Sequence, residues 1–300
     1  MNGVLALVLC GIGWSSAGIF MKYINASSFT IAGLRSLVAF FTLLVLTRKF
    51  PKFVVRQNEG KTEDGKKAPI DKKQTLNLWI AAVSYSATMI MFCMANKMTY
   101  AANAVLLQYT EPIYIVMLSP FLLGEKNSKI DYICVIGVLG GMVLFFADSL
   151  FGNSGSMTSR IFWGNIIAIL SGVTFALTTM FMRRVQGEAT KTSFMLSQII
   201  TFIFCIPFII QNGLLDTRSI LFLVLLGSIQ MGIPNFLFAV GIGKVRALSA
   251  VLIEMIEPLM NPIWVALFYK EVPTWTCITG GAIILLFVVG NQILKKNEKN

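Results

Sequence analysis

Ten apolar stretches, each about as long as a bilayer is thick, constrain this chain more than any other feature. They cover approximately residues 3–21, 29–47, 76–95, 102–123, 130–148, 161–181, 193–211, 219–240, 248–269 and 275–294. A helix of ~20 residues crosses ~30 Å of hydrocarbon. A single span in lipid closes its backbone hydrogen bonds internally only as a helix. The short alternating segments of a membrane barrel are absent. Charged residues make up 13% of the 300, roughly half the share of a soluble domain. The expected fold is an all-α membrane protein with ten transmembrane helices.

Charge supplies the orientation. With the first end inside, 19 of the 25 Lys and Arg residues fall on inner segments. Lys22, Lys97, Arg160, Arg218 and Lys270 fall outside, and Arg35 lies within a helix. This positive-inside bias predicts a multi-pass protein of the plasma membrane (a bacterial inner membrane) with both termini cytoplasmic. The net charge of +11 therefore reads as a topology signal that also favours anionic lipid headgroups, with no nucleic-acid partner. The first apolar stretch has no basic residue before it and reads as a span, not a cleaved signal. The polar stretch 48–75 reads as a mobile cytoplasmic loop without a packed core. Five dispersed cysteines read as buried free thiols. With no histidine, His-based metal sites, Ser-His triads and histidine relays are excluded. No metal, cofactor or catalytic residue is expected.

The chain also repeats itself. Residues 104–125 (AVLLQYTEPIYIVMLSPFLLGE) and 250–271 (AVLIEMIEPLMNPIWVALFYKE) share six of 22 positions at an offset of 146, including Glu111/Glu257, Pro112/Pro258 and Glu125/Glu271. The first and sixth stretches match at an offset of 161 through Gly3/Gly164, Leu9/Leu170, Gly11/Gly172, Phe20/Phe181 and Met21/Met182, with Lys22 meeting Arg183. The third and eighth stretches align at 146, placing Ser84 on Gln230 and Thr88 on Pro234. Each half then holds five helices, residues 1–148 and 161–294. Five is odd, so the second half is inverted, a plan that puts substrate sites at the midplane between the halves.

These features resemble the drug/metabolite transporter superfamily, in its EamA-type ten-helix branch. The resemblance rests on Arg35 after the run FTIAGLR, on the opening CGIGWSSAGIFMK, and on 104–125 followed by a helix with Gly137, Gly140 and Gly141. Similar features recur in the last two stretches, with Gly280 and Gly281. The resemblance implies a secondary transporter, with export favoured, of small metabolites such as amino acids or amphipathic compounds.

Several residues stand out at membrane depth. Gln108 and Glu111 are spaced i, i+3, and Glu254, Glu257 and Asn261 are spaced i, i+3, i+7, so each set shares one helical face. Holding an unpaired carboxylate near the bilayer centre costs on the order of 3 kcal/mol on insertion scales. These faces are expected to turn toward a wet cavity that binds cationic groups or protons. The structural alternative is that each Glu satisfies backbone groups freed by Pro112 and Pro258, which are expected to kink their helices. Trp14 lies away from the interfacial belt where tryptophan usually sits, and reads as a cavity wall with Tyr85, Tyr109 and Phe175. Gln230 and Asn235 flank Pro234 as hydrogen-bonding candidates. Arg35, expected to pair with a Glu or to snorkel, and Glu125 and Glu271, at helix ends, read as structural. Gly137 and Gly141 form a Gly-x-x-x-Gly pair, expected to pack within the protomer. A monomer or weak homodimer follows.

The expected activity is alternating access around these residues. No nucleotide-binding loop is present, which argues against direct ATP drive. Proton coupling and facilitated diffusion are both consistent with the sequence. A sugar or nucleotide-sugar carrier would need cavity cations, of which Arg35 alone is available. An intramembrane enzyme would need a nucleophile–base pair or metal ligands. A non-transporting scaffold is the third alternative.

Overall fold

Where each polar cap residue precedes an apolar run, a helix starts. The structure, a computed structural model, describes residues 2–21, 23–57, 69–151, 158–185, 187–213, 215–269 and 274–297. Asn2, Ser27, Asp71, Thr158 and Asp216 each accept a hydrogen bond from a backbone N–H in the first turn they cap, at 2.9–3.3 Å. Such caps satisfy amides that have no partner inside the helix.

The helices are α1 (Gly3–Ser15), α2 (Ala17–Met21), α3 (Ser28–Thr47), α4 (Lys72–Met98), α5 (Ala101–Gln108), α6 (Glu111–Leu122), α7 (Lys129–Phe145) and α8 (Ala147–Phe151). They continue as α9 (Ser159–Arg184), α10 (Glu188–Asn212), α11 (Thr217–Leu225), a π-helical turn (Leu226–Gly232), α12 (Ile233–Ile242), α13 (Ala247–Glu254), α14 (Ile256–Tyr269) and α15 (Trp275–Asn297). Among the described residues the only bridge between extended segments joins Arg56 to Ile70. Seven helical stretches are long and apolar enough to cross a membrane, running from Ser28–Thr47 to Trp275–Leu294. The chain is therefore an all-helical, multi-pass membrane protein.

The Glu-Pro segments break rather than bend. α5 stops at Gln108, Tyr109 and Thr110 form a turn, and α6 restarts at Glu111. Likewise α13 stops at Glu254 and α14 restarts at Ile256. Pro112 and Pro258 thus occupy first turns, where a missing N–H costs nothing, instead of kinking a continuous helix. Nothing in the residue pattern announces the π-turn. It ends two residues before Pro234, which cannot donate to the Gln230 carbonyl, and such widened turns accommodate a lost i→i−4 bond.

Packing is pairwise. α4 runs along α9, α3 along α10, α7 along α15, and α1 along α12. Gly137 faces the Phe287 ring and Gly141 faces Ile284, so the Gly-x-x-x-Gly pair meets α15 within the protomer. One apolar cluster gathers Leu7, Cys10, Trp14, Tyr85, Phe194 and Phe238, and a second gathers Ile115, Met142, Met180, Leu252 and Ile284. All five cysteines are free thiols.

The segment 48–75 is more ordered at its ends than its composition suggests. Trp79 Nε1 donates to the Phe53 carbonyl at 3.0 Å, the two rings stack, and Val55 N donates to Thr75 Oγ1 at 2.9 Å. Val55 also packs against a small apolar cluster with Leu78 and Leu196. The middle of the segment lies outside the described residues.

The α7–α15 contact gives a direct test. A Cβ on Gly280 would sit 2.7 Å from the Gly141 carbonyl oxygen, whereas one on Gly140 meets nothing within 4 Å. Gly280→Leu should lower stability by about 1–3 kcal/mol through overpacking, read as a fall in the melting temperature of purified protein. Gly140→Leu should melt like the parent.

Candidate functional site

Two groups of buried polar side chains lie inside the helix bundle, near enough that the Glu257 charge reaches Tyr85. The first is built by α1, α4, the π-turn and α12. The Asn235 side-chain oxygen accepts from Trp14 Nε1 at 3.2 Å and from the Tyr85 hydroxyl at 3.1 Å. Gln230 Nε2 donates to the Trp14 carbonyl at 3.3 Å. Phe175 and Phe238 flank the Trp14 ring, with centroids 6.1 and 5.7 Å away. Asn235 is fully buried, so its two bonds form where no water competes. Its Nδ2 and Gln230 Oε1 have no hydrogen-bond partner.

The second group sits at the two helix breaks. Glu111 begins α6 and is 1% exposed. Its Oε1 accepts from Thr179 Oγ1 of α9 at 2.9 Å. A carboxylate at a helix N-terminus also faces unpaired amides and the positive end of the helix dipole. Glu257 occupies the first turn of α14, and the Tyr109 hydroxyl faces its carboxylate. Glu254 ends α13 at 2% exposure, and neither of its oxygens has a hydrogen-bond partner. The three carboxyls are near enough to feel one another's charge. No group of three His, Cys, Asp or Glu among the described residues converges to metal-binding geometry. The arrangement suits proton exchange or an organic cation.

The residues singled out in the sequence divide as follows. Trp14, Tyr85, Gln230 and Asn235 come together in the first group, and Glu111, Glu254 and Glu257 in the second. Gln108 is buried at the end of α5, its carbonyl pressed against Gly172 of α9. The Asn261 side chain and all of Glu271 lie outside the described residues. Thr179 was missed. Its signal is a polar face on α9, where Ser171, Phe175, Thr178 and Thr179 fall at i, i+4, i+7 and i+8.

Arg35 forms no direct ion pair among the described residues; its Nη2 meets Met89 Sδ at 3.6 Å, and its charge reaches Glu257 at longer range. Glu125 does pair. It lies 3.5 Å from Arg183 Nε and 3.9 Å from Arg246 Nε, and it accepts from Ala247 N at 3.1 Å, the first amide of α13. Arg246 also reaches Asp131 Oδ2 at 3.2 Å and the Lys126 carbonyl at 2.6 Å. Asn291 of α15 donates to Asp131 Oδ1 at 3.2 Å. These links tie the α6–α7 turn to the ends of α9, α12, α13 and α15.

The profile of the EamA-like transporter family matches residues 1–147 and again 162–291. The chain belongs to the EamA-like transporter family. Transport, not catalysis, is the work of its named relatives. An "Uncharacterized transporter" of Archaeoglobus fulgidus is 22% identical over 96% of this chain and 95% of its own length. Solute carrier family 35 member G1 of Homo sapiens is 22% identical over 75% of this chain, which spans 64% of that protein. A solved crystal structure superposes with a TM-score of 0.77 at 17% identity over 99% of both chains, a likeness of fold alone. The transporter therefore has a small-molecule substrate and lipid neighbours.

The shared acceptor of the first group is testable. Asn235→Ala leaves two buried donors unpaired and should destabilise the transporter by about 1–3 kcal/mol for each. In a double-mutant cycle, Tyr85→Phe should cost at least ~0.5 kcal/mol less in the Asn235→Ala background than in the parent. Additive effects on denaturation would show that the Tyr85–Asn235 bond contributes nothing.

Proposed function

We propose that this transporter moves a small amphipathic metabolite, such as an amino acid, by alternating access between two inverted five-helix halves, residues 1–148 and 161–294. In this reading ten spans bring both termini to one side of a plasma membrane, the positive-inside bias makes that side the cytoplasm, and export is the favoured direction. The observation that carries the reading is that both polar groups are assembled from both halves. Trp14 and Tyr85 meet Asn235 and Gln230, and Glu111 and Tyr109 meet Thr179 and Glu257.

The helix pairing supports the inversion. α1 packs on α12 as α9 packs on α4, and α1 packs on α13 and α14 as α9 packs on α5 and α6. The pairs α3–α10 and α7–α15 map onto themselves. Close approaches repeat too: Gly3 meets Lys244, and its counterpart Gly164 meets Met98, both pairs obeying the offsets read from the sequence. Seams between inverted halves are where such transporters hold substrate.

Glu257 is the proposed coupling residue, with Glu111 second. It stands at a helix break, within reach of a hydroxyl and of two further carboxyls, so a proton or a cationic group of the substrate balances its charge. Acidic groups outnumber Arg35 at this centre, which disfavours a polyanionic nucleotide-sugar substrate. The test is proton movement in liposomes carrying purified protein and an internal pH dye, challenged with a mixture of the twenty standard amino acids under an imposed pH gradient. Glu257→Gln should insert in normal amounts but lose substrate-driven proton flux, and Glu111→Gln should lose less. An unchanged rate and pH profile in Glu257→Gln would return both residues to a structural role.

A further inference from the structure

Polar atoms left without partners in a dry core outline what the core is built to receive. Unpaired buried groups are costly, and each one in a native fold calls for an explanation. Arg35 and Arg183 are the two arginines among the described residues with a buried Nε lacking a hydrogen bond. Arg183 Nε lies 3.5 Å from the Glu125 carboxylate. Arg35 has no carboxylate within ion-pair distance, only the longer-range charge of Glu257, yet it is only 8% exposed. A guanidinium stays charged in proteins, so it cannot relieve the burial by losing its proton.

Its surroundings tie it to the central site. The Arg35 carbonyl lies against the π-turn, 2.7 Å from where a Cβ on Gly227 would stand. That turn carries Gln230. On the other side Arg35 Nη2 touches Met89, one helical turn along α4 from Tyr85. A thioether is a weak acceptor and gives a cation little in return. The orphaned polar atoms include the donors Arg35 Nε and Asn235 Nδ2 and the acceptors Gln230 Oε1 and both oxygens of Glu254.

We propose that Arg35 receives the anionic group of the transported solute, a carboxylate or phosphate. The fork of a guanidinium matches either group through paired, charge-assisted hydrogen bonds. The bare Glu254 carboxylate stands ready for a positive group on the same solute, so a zwitterion satisfies both. This assignment rests on the transport reading of the central site. It removes Arg35 from the structural role that its place in the sequence suggests.

The test has two arms, both read by thermal melting of purified full-length protein. Without any solute, Arg35→Met should melt at or above the parent, because the weak contact to Met89 and the longer-range attraction to Glu257 give back less than burying the cation costs. A melting temperature several degrees lower would overturn the proposal by revealing a structural partner. In the second arm the probes are tyrosine, phenylalanine and leucine, their carboxylate-free counterparts tyramine, phenethylamine and isoamylamine, and inorganic phosphate and glucose 6-phosphate. At least one anion-bearing probe should stabilise the parent, with a midpoint weakened roughly 10–100-fold in Arg35→Met and less in Arg35→Lys. The amines should act equally on both. Stabilisation by the carboxylates or by the phosphates identifies which anion is held. Equal responses of parent and Arg35→Met, or no response of the parent to any anion-bearing probe, would overturn the assignment. Proton coupling through Glu257 is read separately by flux, so either result stands without the other.

Discussion

Hydrocarbon offers no partner to a polar group, and the architecture follows from where this chain meets that demand internally. Backbone amides are satisfied by helices and, at several helix starts, by capping side chains. Where the sequence places Glu-Pro pairs at membrane depth, the helix is interrupted instead, and the interruption is used. At each break a carboxylate stands in the first turn of the new helix, and at α6 a hydroxyl from the facing α9 completes it. The same demand explains Asn235, whose oxygen joins α1 and α4 to α12 through two hydrogen bonds with no water to compete for them. The bundle is thus pinned at its centre by polar contacts between the two halves of the sequence, with apolar packing on either side.

Much of this was legible in the residues. Hydrophobic length and the scarcity of charge point to membrane helices, because hydrocarbon thickness and backbone chemistry leave few choices. The grouping of Glu111 with Glu257 was foreshadowed by their equivalent places in the repeated Glu-Pro segments, whereas Trp14 and Asn235 stood out only as polar or amphipathic side chains at membrane depth. Other features were hidden because they depend on distant neighbours. Nothing local marks Thr179 as the donor to Glu111, since threonines in membrane helices commonly bond their own turn, as Thr178 does. The surroundings of Arg35 were hidden for the same reason: a charge at depth predicts a partner but does not name one, and here Glu257 feels it without a direct ion pair. The prolines misled in a more specific way. A Glu-Pro pair inside an apolar run suggests a kink, whereas the geometry gives a stop and a restart.

The halves are similar without being equal, and the differences bear on motion. α9 runs unbroken over 26 residues, while its counterpart is divided at Ser16 into α1 and α2. α4 is continuous where its counterpart contains the π-turn. Irregular helices tolerate bending at lower cost than regular ones, so the two halves need not deform alike. The end of the bundle at Glu125 is cross-braced by Arg183, Arg246, Asp131 and Asn291, each contact joining the first half to the second. In a partly buried setting, charge-assisted contacts of this kind are strong enough to hold one conformation and weak enough to be exchanged for another. Under the proposed alternating access and orientation, this network is the contact set that must be exchanged for the cytoplasmic end to open.

The central claim, that the two halves separate and close around the polar centre, is tested most directly by a distance across that braced end. Spin labels on cysteines replacing the exposed Lys126 and Lys244 in a cysteine-free background report it in reconstituted protein. The account predicts one short distance in the parent and, in Glu125→Gln or Arg246→Gln, a second population at longer distance. A single unchanged distance in all three proteins, with folding intact, would contradict it.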